Sequence, residues 1–267
     1  MTTYHQNILG NLPEGVISFM RVLILVAALP SPVLAEDRFP DHKWGVDLLI
    51  LLEAGPALLS PDLPLGLRPP PGSEETRSEL DRMQLISARL RDSETRDLII
   101  REAEADPRDL FREGGLLPSR TFAPRLWGLL GQVVDEATYF ALREKRRFAR
   151  PRPSTVRPDL GTTISNPPHP AYPSGHSTQI HTLAGVLSSI RPACEETYRI
   201  FAAGVAFRRE IAGVHYPSDT RAGELIAASL VPRLLAHPEL AASLRGAGQE
   251  IEDSLDEGAC KITGGLR

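Results

Sequence analysis

Leu80, Met83, Ile86 and Leu90 recur at spacings of three and four with Glu, Arg and Asp between them, the period of one apolar helix face. They predict a helix that opens near Ser73. Ser93, followed by Glu-Thr-Arg-Asp and then Leu98-Ile-Ile, reads as an N-cap and a second helix. The clearest pattern starts at Pro124, a good first-turn residue. It runs through Leu126, Leu129, Leu130, Val133, Val134, Ala137, Phe140 and Ala141 towards Phe148. Positions 134, 138, 141 and 145 share one face, so Lys145 continues the inward stripe where a solvated lysine is not expected. Further helices are predicted from Ser174 to about Ile190, closed by Pro192, from Glu196 to Ile211, and from Ser218 to about Leu235.

The intervening segments have other patterns. Trp44 to Leu52 is too apolar for an exposed segment and is expected to open the folded domain. Pro56 to Pro71 reads as an extended connector or surface loop. Residues 150–173 carry seven prolines and no helical period, hence a long loop. Residues 238–267 predict a short helix and a loose tail. No run reads as a strand and none repeats. The expected fold is therefore all-α: a single-domain bundle of roughly six to eight helices with the site at helix ends.

The first residues change this picture. Arg21 precedes the apolar run Val22 to Leu29, then Pro30-Ser-Pro-Val-Leu-Ala35 and the acidic Glu36-Asp37. This is the pattern of a secretory signal peptide, residues 1–35, cleaved after Ala35. The apolar run falls short of the ~20 residues of a membrane span. No other segment reaches spanning length, so no stable membrane insertion is expected and the mature chain should be soluble, in the periplasm or secreted. Whether translation starts at Met1 or Met20 stays open. The remainder, 36–267, forms the helical domain, its motif-bearing core at about 75–235. Cys194 and Cys260 are the only cysteines. Pairing in an oxidising compartment and two buried free thiols both remain open.

Composition narrows the partners. Charged residues make up 24% and net charge is −4 with pI near 6.0, so bulk electrostatics favour neither nucleic acid nor an anionic surface. Aromatics are only 6%, which suits helix packing better than a sheet. Homo-oligomerisation is left open.

Three pieces carry chemistry. Lys145 to Arg152-Pro153 places two permanent cations at a helix end and in the loop beyond it, costly to bury without an anion. Arginine's fork suits two phosphate oxygens, and lysine acts as a point charge. Pro173-Ser174-Gly175-His176 sets a hydroxyl and free N–H groups at a helix N-terminus, a ready anion site, with His176 able to give a proton to a leaving oxygen. Arg209 to His215 to Asp219 adds a third cation and an imidazole whose tautomer a carboxylate can fix, just before a cap expected at Ser218. Together these are the parts for phosphoryl transfer without metal.

The arrangement Lys-x6-Arg-Pro, Pro-Ser-Gly-His and Arg-x5-His-x3-Asp resembles the type 2 phosphatidic acid phosphatase superfamily, most of all the soluble bacterial class A non-specific acid phosphatases. The resemblance implies a helical bundle of the acid phosphatase and vanadium haloperoxidase type, hydrolysing phosphate monoesters. It implies that Lys145, Arg152 and Arg209 bind phosphate, helped by the Ser174 hydroxyl and the Gly175 amide. His215 would become a phosphohistidine, Asp219 would orient it and His176 would protonate the leaving group. No cofactor or metal is implied. One position departs: Arg208 stands where the family usually has Ser, which bears on substrate choice.

Other readings are weighed beside these. A vanadate-dependent haloperoxidase would use the same anion site, and a non-catalytic phosphate-binding protein would keep the cations. His169 and His181 match no motif and are expected to be structural or loop-exposed. His176 and His181 are five apart, off one helix face, and make no ready metal pair. Seven basic residues against one acid in window 143–157 read as a solvated helix end, with a basic rim selecting substrates of additional negative charge as the sharper alternative.

Overall fold

The structure, a computed structural model, describes residues 38–254 and Cys260, all within one unit, Ala35–Arg267. The expected signal peptide lies outside the described residues. Among the described residues ten α-helices follow in order: α1 Val46–Ala54, α2 Ser73–Leu90, α3 Ser93–Glu104, α4 Pro107–Glu113, α5 Pro124–Phe148, α6 Pro153–Val156, α7 Gly175–Ile190, α8 Glu195–Ile211, α9 Pro217–Ala236 and α10 Pro238–Ser254. No strand occurs among the described residues.

Helix α7 is the axis of the bundle and packs against α5, α8 and α9, while α10 lies along α5 and α9. Its burial follows from composition: Ile180, Leu183, Val186 and Leu187 are all buried, and its polar Thr178 and Thr182 return their hydroxyls to Ser174 and Thr178 carbonyls. Close approach demands small residues. A Cβ on Gly185 would sit 2.7 Å from the Val231 side chain, and one on Gly223 would sit 2.8 Å from the Ser174 carbonyl. Gly223 thus lets the start of α9 lie directly on the start of α7.

Several expectations need correction. The N-cap of α3 is Asp92, whose carboxylate accepts the Thr95 N–H, and not Ser93. Helix α9 starts at Pro217, so Ser218 lies inside its first turn. The proline-rich loop 150–173 contains the short α6. The connector 56–71 is anchored, because buried Glu136 on α5 accepts the N–H groups of Ala57, Leu58 and Leu59. Helix α1 is only partly buried: Val46 is 70% and Ile50 60% exposed, while Leu51 and Leu52 pack against the core. The C-terminal short helix is a full α10 of 17 residues, with Leu240, Ala247 and Ile251 in the core and the Glu250 carboxylate accepting the Leu126 N–H at the start of α5. Cys194 and Cys260 are joined as a disulfide.

Candidate active site

Each motif residue lies at a helix end or in the loop beside one. The inward face of α5 carries Lys145. The helix then stops at Ala149, in left-handed conformation with φ 49°, and the chain turns back so that Arg150 and Arg152 enter the bundle. Ser174, Gly175 and His176 open α7, Arg209 closes α8, His215 sits in the following loop and Asp219 in the first turn of α9. Lys145, Arg152, Arg209, His215 and Asp219 are each at most 2% exposed. Three buried cations in one place are unfavourable unless anions accompany them.

These residues meet at a cavity of about 200 Å³. Lys145, His169, Gly175, His176, Arg209 and His215 line it directly. Arg152, Ser174 and Asp219 stand immediately behind. His215 Nδ1 lies 3.2 Å from Asp219 Oδ2, and its Nε2 lies 3.1 Å from Arg152 Nη1. A guanidinium only donates, so Nε2 accepts and the ring proton belongs on Nδ1, where it is donated to Asp219. The unprotonated Nε2 is the nitrogen a nucleophile needs.

Asp219 is itself tightly held. Its Oδ1 accepts from Arg150 at 2.7 Å, and its Oδ2 accepts the Tyr216 N–H at 2.9 Å. Arg150 is bound in turn by Glu79 at 2.9 Å and the Ser218 hydroxyl at 2.7 Å, and it stacks 3.6 Å from the Tyr216 ring.

Lys145 is in the cavity wall, yet its ammonium donates to the carbonyls of Pro170, Ala171 and Pro173. An ammonium has three donors, so it contributes charge and not a free N–H. Ser174 is the N-cap of α7, its hydroxyl oxygen 3.3 Å from the Ser177 N–H, with its own N–H donated to the Asp219 carbonyl. A Cβ on Gly175 would meet only Lys145 Cε at 3.8 Å, so inside the protein nothing forbids one; the bare backbone faces the cavity. Arg209 donates Nη2 to Glu102 at 2.9 Å and to the Ile99 carbonyl at 3.2 Å, while its buried Nε and Nη1 have no partner.

Burial and the mutual repulsion of cations shape the titration. Arg152 and Arg209 are each pulled down to about 10 by burial. Burial, then Arg152, push Lys145 well below its ordinary value. Burial and next Arg209 bring His176 down to about 3, and burial with Arg152 and Lys145 puts His215 well below 6.5. Both imidazoles are thereby favoured in the neutral form.

His169 was expected to be structural or loop-exposed, and the structure places it in the cavity wall, Nδ1 2.9 Å from Arg152 Nη2. The only signal in sequence was its place in the proline-rich loop just before Tyr172-Pro-Ser-Gly-His. His181 stays outside this cavity, its Nδ1 2.8 Å from the Ser177 carbonyl.

A family model described as the PAP2 superfamily matches residues 126–237, a span that contains every motif residue above. A non-specific acid phosphatase of Salmonella typhimurium is 32% identical over 139 residues, 49% of this chain and 54% of the relative. One from Providencia stuartii is 29% identical over 135 residues, 48% of this chain and 54% of the relative. The chain thus spans about half the length of the curated relatives it matches. Among solved structures, a bacterial vanadium-dependent iodoperoxidase superposes with TM-score 0.57 at 17% identity, over 79% of this chain and 60% of that one. This likeness shows a shared all-α fold.

Proposed function

We propose that the cavity is the active site of an exported acid phosphatase that hydrolyses phosphate monoesters through a phosphohistidine at His215. The observation that carries this is Arg209: two buried guanidinium nitrogens, Nε and Nη1, without partners, lining the same cavity as a histidine whose Nε2 is unprotonated. An oxyanion is the group that satisfies such donors.

In the proposed reaction, the non-bridging oxygens rest against Arg209 and the Gly175 N–H, with the Ser174 hydroxyl proton and the charges of Arg152 and Lys145 in support. His215 Nε2 attacks phosphorus in line as the bond to the ester oxygen breaks. His176 gives its proton to that oxygen, releasing the alcohol. Asp219 stabilises the imidazolium character that develops on His215. Water, deprotonated by His176, then attacks phosphorus, the P–N bond breaks and phosphate leaves. An alcohol in place of water would give phosphotransfer. The cations neutralise the developing charge, so the scheme calls for no metal.

The walls bear on substrate. The cavity is also lined by Leu48, Ala103, Ala141, Leu142, Ile164 and Val214, with Thr138 and Gln179 as an uncharged polar pair. Of the seven basic residues in 143–157, only Lys145 lines the cavity. Arg143 and Arg147 pair with Glu144, and Arg157 pairs with Asp81. These contacts support compact, uncharged leaving groups over a basic rim for polyanions. The leader pattern at 1–35 and the Cys194–Cys260 disulfide support export. No helix among the described residues is long and apolar enough to cross a membrane.

The testing experiment is hydrolysis of p-nitrophenyl phosphate from pH 4 to 8 with EDTA present. Activity that survives EDTA and peaks below neutrality is expected; loss to EDTA with recovery on adding a divalent cation would contradict the scheme. A second expectation concerns protons. Burial and neighbouring cations hold His176 at about 3, so an anion that offsets those cations must raise it. Sulfate has no titrating proton near pH 5. Its binding there should draw up to about one proton from buffer, read by calorimetry in buffers of different ionisation enthalpy. Proton release, or none, would contradict this.

A further inference from the structure

Glu102 lies on α3, outside the matched PAP2 domain, and none of the three motifs contains it. It is nevertheless buried, at 5% exposure, and touches the site through two different groups. Its carboxylate Oε2 accepts from Arg209 Nη2 at 2.9 Å. Its backbone carbonyl lies 3.1 Å from His176 Nε2. A carbonyl only accepts, so His176 carries a proton on Nε2, and Nδ1 is the nitrogen left for proton transfer.

Arg208 completes the arrangement. It takes the other carboxylate oxygen, with Nε at 2.8 Å and Nη2 at 2.6 Å from Oε1. One carboxylate therefore carries two adjacent guanidinium groups from the end of α8. The Ile99 carbonyl, one turn earlier on α3, accepts the second hydrogen bond from Arg209 Nη2 at 3.2 Å. With Nη2 committed to α3, the planar guanidinium can turn only a little, and the unpartnered Nε and Nη1 keep a fixed orientation. The departure at position 208 thus has a physical role: its side chain is directed to Glu102 and not to the cavity.

We infer that Glu102 is a positioning residue, holding the Arg209 guanidinium and the His176 ring in one register so that phosphate clamp and proton donor act on the same ester. The inference rests on the phosphatase reading of this cavity. A purely structural ion pair between α3 and α8 would also be buried, but it would not distinguish binding of an anion from its turnover. Positioning would. Without the carboxylate the cluster of cations still attracts phosphate, since a nearby negative charge has been removed. The anion is then no longer held in line, and a misplacement of about 1 Å costs on the order of 10²-fold in rate.

The test compares Glu102→Gln and Glu102→Ala with wild type, reading kcat for p-nitrophenyl phosphate and the inhibition constant of inorganic phosphate, with folding checked by circular dichroism. The expected result is a fall in kcat of about tenfold for Gln and about 30-fold or more for Ala, with the phosphate inhibition constant within about threefold of wild type. Glu102→Gln keeps the side-chain volume, so it decides the matter even if the alanine variant unfolds. A folded Gln variant with kcat within about threefold of wild type, or with kcat and phosphate affinity lost in proportion, would overturn the inference. A wild-type chain without turnover would overturn the phosphatase reading and this inference together, whereas an active wild type beside unaffected variants overturns this inference alone.

Discussion

Replacing His215 by alanine should lower turnover of any phosphate monoester by at least about 10⁴-fold, because it removes the nucleophile and leaves only binding and the cations. Phosphate should still bind. Lys145, Arg152 and Arg209 remain, and Arg152 Nη1, which now donates to His215 Nε2 at 3.1 Å, is freed for the ligand. The variant should also fold: a neutral ring packed among cations is lost, and no buried charge is left without its partner. Turnover and phosphate affinity measured on one preparation check both halves. Strong loss of phosphate binding together with turnover would mean that His215 shapes the site and does not attack.

Asp219→Asn carries the second large effect, through the tautomer. The carboxylate serves a guanidinium on Oδ1 and two N–H donors, His215 Nδ1 and Tyr216 N, on Oδ2. An amide has one accepting oxygen. If it faces Arg150, the amide nitrogen meets two donors; if it faces Tyr216, the nitrogen meets Arg150. In the first orientation His215 must move its proton to Nε2, which disarms the nucleophile. The second leaves Arg150, at 6% side-chain exposure, short of a charge partner. Turnover should fall about 10³- to 10⁴-fold and stability by about 2–4 kcal/mol, the latter measured by urea unfolding. A variant as stable and as active as wild type would show that this network has no role.

The helices that frame the site were legible because their apolar spacing is strong: Leu126 to Ala141 for α5, and the stripes of α2, α8 and α9. Helix α4 escaped because its buried pair, Leu110 and Phe111, is too short to show a period between Pro107 and Gly114. Helix α10 was underestimated since Gly246 and Gly248 interrupt its apolar face. Helix α1 misled in the other direction: its run from Val46 to Leu52 is apolar except for Asp47, and packing buries only part of it.

The motif residues were legible because each lies at a helix terminus or in the short loop beside one, with a fixed spacing to the next. Their supports were not. Glu79, Glu102 and Arg150 act across long sequence separations, and only packing of α2 and α3 on the site brings the two carboxylates in. Among the basic residues of 143–157, sequence spacing could not say that Arg150 turns towards Asp219 while Arg146 stays in solvent. His169 belongs to the same class, since its approach to Arg152 depends on how the proline-rich loop folds back.

The central claim is a covalent bond between phosphorus and His215 Nε2, and trapping it is the most direct measurement. Wild-type protein mixed with ³²P-labelled monoester and quenched in alkali within milliseconds should retain label that is stable to base and labile to acid, and peptide mass spectrometry should place the phosphoryl group on His215. No label under conditions where substrate is turned over, or label on another residue, would contradict the account.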